Sequence, residues 1–152
     1  MSDVSIKYFL LYITESFNWT AQPTNPTPAI KGQDVPLAWQ YSLTADELLQ
    51  SQTQFIIFWK KLNKSTSNYD KIGTKGYFQS FGGIGYQEPQ SPRIVIDKSD
   101  QATLHVKEVR REDEGTYKIE FTLNADGSVL AEQRVNLTVL GELFKVFIVC
   151  KC

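Results

Sequence analysis

An all-β fold of two packed layers or a closed barrel is what this sequence predicts, and three observations carry the prediction. Seven or more short segments alternate apolar and polar residues, the period of strands with one buried face. Turn signals separate them roughly every 8–12 residues, the spacing of an antiparallel sandwich or barrel. No stretch sustains a helical period, and no internal repeat is present.

The elements follow in chain order. Residues 21 to 36, AQPTNPTPAIKGQDVP, are rich in Pro, Thr and Asn. Proline lacks the backbone donor, so this region reads as an edge strand interrupted by turns. Val35, Leu37, Trp39 and Tyr41 then alternate with Pro36, Ala38 and Gln40, as in a half-buried strand. LTADELLQSQ loses the alternation and reads as a loop or a single helical turn. QFIIFWKKL is β-branched and aromatic and has a strand's length. NKSTSNYDKIGTKG is turn-rich, and YFQSFGGIGYQEPQSP reads as a long loop or a ragged edge strand. RIVIDKS, ATLHVKEV, TYKIEFTL and SVLAEQRVNLTVL all alternate. The last of the turns between them, NADGS, contains Asp-Gly, a strong hairpin signal. One domain is expected over residues 17–140, preceded by a leader over 1–16 and followed by a tail over 141–152.

The bulk numbers exclude several function classes. The chain has 152 residues, enough for one domain with a core. Its net charge is −1 and its pI about 5.8, with basic and acidic residues interspersed, so it lacks the basic stripe of a nucleic-acid binder. No stretch approaches the ~20 apolar residues of a membrane span. At the start, Lys7 precedes the apolar run Tyr8 to Ile13, and Thr14 and Ser16 stand at the spacing of a cleavage site. That run is short for a secretory leader and Asp3 suits one poorly, so a signal peptide, an incomplete leader and a first strand all remain open. Both cysteines, Cys150 and Cys152, lie at the extreme C-terminus. They are too close to the chain end to tie two sheets together, and with one histidine in the chain they do not make a zinc site.

The stretch LHVKEVRREDEGTYKIEF carries a resemblance. Leu104 and Val106, then Val109, then Asp113-x-Gly115-x-Tyr117 are similar to one strand-to-strand passage of the immunoglobulin superfamily. GQDVPLAWQY resembles that family's second strand, Trp59 stands where its core tryptophan belongs, and VNLTVLG resembles its final strand. The resemblance covers about 120 residues in order and is to V-type domains. It implies an immunoglobulin-like antiparallel β-sandwich of two packed sheets with Greek-key connections. It also implies roles. Gly115 takes a backbone angle that a side chain opposes. Tyr117 buries its ring and bonds backbone a few residues back. Asp113 pairs with Arg93. The departure is the inter-sheet disulfide: Trp39 and Ile119 occupy the two cysteine positions. Losing such a bond costs about 2–5 kcal/mol, and burying a large apolar side chain returns about 1.5–3 kcal/mol. Trp39 and Ile119 are therefore expected to pack against Trp59 in the space of the sulfurs. A fold held this way needs no oxidising compartment.

Catalysis has little support. The single histidine, His105, falls at an outward strand position, turn chemistry accounts for Asp113 and Glu114, and FGGIGY matches no phosphate-binding fingerprint. No enzyme, cofactor, metal or small-molecule substrate is expected, and no nucleic-acid partner. Three sequons offer N-glycosylation sites at Asn18, Asn63 and Asn136. Asn63 lies in an expected turn, and Asn136 faces solvent between inward Val135 and Leu137. If Trp59 points inward with Ile57 and Phe55, then Ile56 and Phe58 point outward. They are either a protein interface or residues covered by the 77–86 segment, and a glycan on Asn136 would crowd the same face. The expected function is a non-enzymatic recognition module of a cell-surface or secreted protein. Its partner would be a protein, either a second copy or another immunoglobulin-like domain. The alternative is an intracellular scaffold module in the cytoplasm.

Overall fold

The computed structural model describes residues 17–52, 54–78, 82–123 and 128–141. The expected leader, the Asp126-Gly127 hairpin signal and the tail with Cys150 and Cys152 lie outside the described residues.

Ten strands form two sheets. In chain order they are β1 (Asn18–Ala21), β2 (Thr27–Ile30), β3 (Val35–Ser42), β4 (Ile56–Asn63), β5 (Asn68–Phe78), β6 (Gly83–Gln87), β7 (Ile94–Ile96), β8 (Ala102–Val106), β9 (Gly115–Thr122) and β10 (Ala131–Leu140). One sheet has the order β1-β3-β8-β7 and the other β2-β10-β9-β4-β5-β6. The chain crosses between sheets after β1, β2, β3, β6 and β8, which makes the Greek key. Every described ladder is antiparallel except β10 with β2, which is parallel. The proline-rich start thus makes two short edge strands, one at the edge of each sheet, with Pro23 and the cis Asn25–Pro26 bond in the passage between them.

Alternation decides which side chains enter the core. Leu37 and Trp39 of β3, Ile57 and Trp59 of β4, Leu104 and Val106 of β8, Tyr117, Ile119 and Phe121 of β9, and Leu137 and Val139 of β10 are all buried in one cluster. Trp59 stands directly across from Ile119 on the neighbouring strand. Trp39, Trp59 and Ile119 are each at most 1% exposed. At one end of the sandwich, Phe17, Trp19, Tyr41, Phe55 and Phe121 continue the core as an aromatic cluster, with Tyr41 and Phe121 ring centres 4.7 Å apart. Burial there pushes the Tyr41 hydroxyl pKa up to about 12.

Three elements differ from the expectations. The LTADELLQSQ segment holds a helix, α1 (Ala45–Ser51), closed by a capping box in which Thr44 and Glu47 bond each other's backbone amides. The turn-rich NKSTSNYDKIGTKG contains the longest of the strands, β5, because the turn itself occupies only residues 64–67. A bulge opposite Trp59 and Lys60 drops Ile72 out of register. The outward set therefore changes from Tyr69 and Lys71 to Thr74, Gly76 and Phe78, which erases the alternation. The 77–86 segment is not a loop over the sheet: its described residues are the end of β5 and the edge strand β6 in the same sheet. Gly85 makes room there, since a Cβ at that position would lie 2.7 Å from the Phe78 ring.

Replacing Ile119 by alanine removes volume from the centre of both sheets' contact. The expected loss is about 2–5 kcal/mol, read as a lower urea midpoint with the slope unchanged. An unchanged midpoint would mean that this side chain does not bridge the layers.

Candidate functional site

The candidate site is the outward face of the six-stranded sheet, and its position is secured by polar ties at the sheet ends. Asp113, buried at the end of a 3-10 turn (Arg111–Asp113), accepts hydrogen bonds from Arg93 Nη1 at 2.6 Å and Nη2 at 3.1 Å, and from the Arg110 amide at 2.7 Å. Its backbone carbonyl accepts from the Tyr117 hydroxyl at 2.8 Å. One residue thus links the start of β7 to the middle of β9, in opposite sheets. Gly115 beside it has φ +147°, a conformation that side chains rarely adopt. Desolvation pushes the Asp113 carboxyl up, but hydrogen bonds from Arg93 and the Arg110 amide, with the Arg93 charge, outweigh it and hold the pKa below its ordinary value. Elsewhere Lys75 points inward from β5, and its ammonium donates to the carbonyls of Asp100 and Gln101 in the opposite sheet's β7–β8 turn. Burial pushes its pKa down, while Asp100 and Asp97 pull it up.

On the outward face, strand pairing aligns rows. Phe58 sits between Thr74 of β5 and Glu120 of β9, and Ile56 between Gly76 and Thr122. Both apolar side chains are half-buried. Lys60 and Lys71 lie over the Phe58 ring at 5.6 and 6.0 Å, and Lys118 and Arg134 over the Tyr69 ring at 4.4 and 5.6 Å. A chain of ion pairs crosses β4, β9 and β10: Lys60 to Glu120 (2.5 Å), Lys118 to Glu120 (2.6 Å), Lys118 to Glu132 (3.7 Å) and Arg134 to Glu132 (3.0 Å). Glu120 is buried under its two lysines. Desolvation pushes its carboxyl up, but the Lys118 and Lys60 hydrogen bonds and charges win and keep its pKa low. Two hydroxyls on this face, Thr74 Oγ1 and Thr122 Oγ1, are buried with no hydrogen-bond partner among the described residues. Buried hydroxyls ordinarily find one.

The sequons fall at three different places. Asn18 is exposed at the start of β1. Asn63 ends β4, its Nδ2 donating to Asp70 and its Oδ1 accepting from the Ser65 amide. Asn136 is exposed on β10 and accepts from Thr116. It lies on the outward face, but four residues from Glu132, the β10 residue aligned with Glu120 and Phe58. That spacing puts it roughly 13 Å from the Phe58 row, but only two residues from Arg134 on the same face of β10, so a glycan there would crowd the β10 side of the face.

His105 is half-exposed rather than free on the surface: its Nε2 lies 3.0 Å from Asp97 Oδ2. The Ser99 hydroxyl donates to the other carboxylate oxygen at 2.6 Å. Imidazole and hydroxyl share the carboxylate instead of bonding each other, so no base addresses a nucleophile there. Hydrogen bonds from Ser99, then from His105, hold the Asp97 carboxyl well below its usual range. No group of three or more metal-ligating side chains occurs among the described residues.

No family description and no curated protein matches the sequence. Solved structures do match. The extracellular domain of the voltage-gated sodium channel beta4 subunit, described as parallel homodimers that explain its role in cell–cell adhesion, aligns with a TM-score of 0.60 at 14% identity, over 81% of this chain and 95% of that one. Murine CRIg aligns with a TM-score of 0.60 at 15% identity, over 83% and 99%. The fold is that of a V-type immunoglobulin domain. Domain 1 of VCBP3 from Branchiostoma floridae agrees, with a TM-score of 0.59 at 16% identity over 82% and 95%. In V-type terms β1 and β2 are the split first strand, β5 and β6 are the two strands that lengthen the second sheet, and Trp39 and Ile119 stand at the cysteine positions. Alternation about Trp59 pointed to the face through Ile56 and Phe58 alone. It missed Thr74, Thr122, Lys71 and Tyr69. Of these, Thr74, Lys71 and Tyr69 lie on the strand that the bulge conceals.

Removing the guanidinium with Arg93→Ala leaves Asp113 buried and unpaired, and the expected loss is about 3 kcal/mol at neutral pH. The folded-state pKa of Asp113 is depressed, so its contribution is present above the unfolded value of about 4 and is lost as pH falls through the folded value. Denaturant midpoints of wild type and variant should therefore converge towards about pH 3. A gap of the same size at both pH values would assign the loss to packing.

Proposed function

We propose that this chain is a non-enzymatic recognition module that binds a protein partner through the outward face of its six-stranded sheet, with Ile56 and Phe58 at the centre of the contact. The observation that carries this reading is the composition of that face. Two large apolar side chains, half-buried, sit side by side on the outward sheet face, with Lys60 and Lys71 over the Phe58 ring and two buried hydroxyls without partners among the described residues. Interface cores are apolar and aromatic with polar rims, and contiguous apolar patches on a solvent-facing surface mark interaction sites.

The shared fold supports an extracellular setting, since the sodium channel beta4 domain is an extracellular adhesion domain. The sequons at Asn18, Asn63 and Asn136 support the same placement, and Asn18 and Asn136 are exposed. Fold alone does not assign a partner. The surface chemistry of this chain supports this face as the contact. A second reading, an intracellular scaffold module, is favoured by one observation: the core closes with Trp39 and Ile119 where sulfur would stand, so the domain needs no oxidising environment.

Expression in a secretory cell line separates the two settings. A mobility shift removed by glycosidase, and abolished by substituting the three sequon asparagines with glutamine, is the expected result. An unglycosylated product that is retained inside the cell favours the scaffold reading. For the face itself, Phe58→Asp should reduce binding to partner-bearing cells by at least about tenfold while leaving the melting temperature within a few degrees. Undiminished binding would move the contact elsewhere on the domain.

A further inference from the structure

The charge on the proposed face identifies the chemistry of its partner. The outward side of β4, β5, β9 and β10 carries Lys60, Lys71, Lys118 and Arg134 against Glu120 and Glu132. Four cations thus stand against two carboxylates. Glu120 is buried with Lys118 and much of Lys60, and the exposed charges are Lys71, Arg134 and Glu132. Arg134 is paired with Glu132, and Lys71 lies over the Phe58 ring with no carboxylate in salt-bridge contact among the described residues. The whole chain has net charge −1, so this positive sign is local to the face.

We propose that the face selects a protein partner whose contact surface is acidic and that it disfavours a second copy of itself. This rests on the proposed function above and narrows its partner. Two copies brought together through this face would oppose like charges around the Phe58 ring, and such juxtaposition suppresses wrong pairings. A partner with carboxylates around an apolar centre would instead pair Lys71 and Arg134 while its apolar centre covers Ile56 and Phe58. The same Ile56 and Phe58 argue for a protein over an anionic polysaccharide, which would use the cations and leave the apolar pair wet.

The test uses the chain as its own probe. Lys71→Glu combined with Arg134→Glu reverses the balance of the face at two exposed positions, leaving the buried Glu120 with its lysines. Sedimentation velocity is then run on the wild type, on the inverted copy and on their equimolar mixture, at concentrations up to about 100 μM. The expected result is association in the mixture alone. It should weaken by about tenfold or more between about 50 and 500 mM salt and disappear when the wild-type component carries Phe58→Asp. Wild type that self-associates as tightly as the mixture overturns the proposal in favour of a second copy. A mixture that stays monomeric overturns it as well. Heparin that binds the wild type equally well with and without Phe58→Asp, in place of association in the mixture, assigns the cations to a glycan. A mixture that associates regardless of Phe58→Asp sinks the placement of the face, which distinguishes that failure from a failure of charge selection.

Discussion

The burial of Trp39 from one sheet and of Trp59 and Ile119 from the other in a single core cluster is the constraint on which the remaining structure depends. Each sheet is amphipathic because its strands alternate, and each must bury one side. Where a covalent bond is absent at the centre, the layers are held by packed volume, and packed volume is sensitive to register. Trp59 lies across from Ile119, so the β4–β9 pairing and the inter-sheet contact are specified by the same side chains. A shift of one residue would turn Trp59 and Ile119 outward and bring Phe58 and Glu120 inward. An ionised carboxylate in the apolar layer makes that alternative costly.

The polar ties secure what the apolar centre does not reach. Arg93 and Tyr117 converge on Asp113 at one end, and Lys75 crosses from β5 to the β7–β8 turn elsewhere. Both use backbone carbonyls as well as charges, which fixes direction as well as distance. Several carboxylates in these ties and on the face, Asp97, Asp100, Asp113 and Glu120, are held below their ordinary pKa. Each favours the folded state at neutral pH and ceases to do so as it gains a proton, so acid weakens both ends and the outward face together.

The legible part of the sequence was the part where local pattern and tertiary environment agree. β3, β8, β9 and β10 alternate without interruption, and the Asp113, Gly115 and Tyr117 spacing marks the last sheet crossing, from β8 to β9. Two elements were hidden for separate reasons. Thr44 and Glu47 cap α1, but the helix has no buried face to impose a period. β5 is hidden by its bulge: Tyr69 and Lys71 share a face with Thr74 and Gly76, a change of parity that no single period describes. As Thr74, Lys71 and Tyr69 all lie on β5, missing that strand removed half of the candidate face from view. Ile56 and Phe58 were visible only because Trp59 anchors the phase of β4.

The inner and outer sides of the six-stranded sheet divide the molecule's demands between them. Inside, the buried side-chain polar atom left without a partner among the described residues is the indole nitrogen of Trp59. Outside, on the same strands, the rules of a stable surface are broken repeatedly: aromatic rings under lysines, a carboxylate buried beneath two ammonium groups, hydroxyls without partners. Stability alone does not favour these features, since each buried partnerless hydroxyl costs about 1–3 kcal/mol. A scaffold that tolerates them must be held rigid from the other side, which is what the indole and aliphatic centre does. Alternation on β4 and β9 therefore couples the two roles. The residues that keep the layers together also keep Phe58, Thr74 and Glu120 in one row on the outward face.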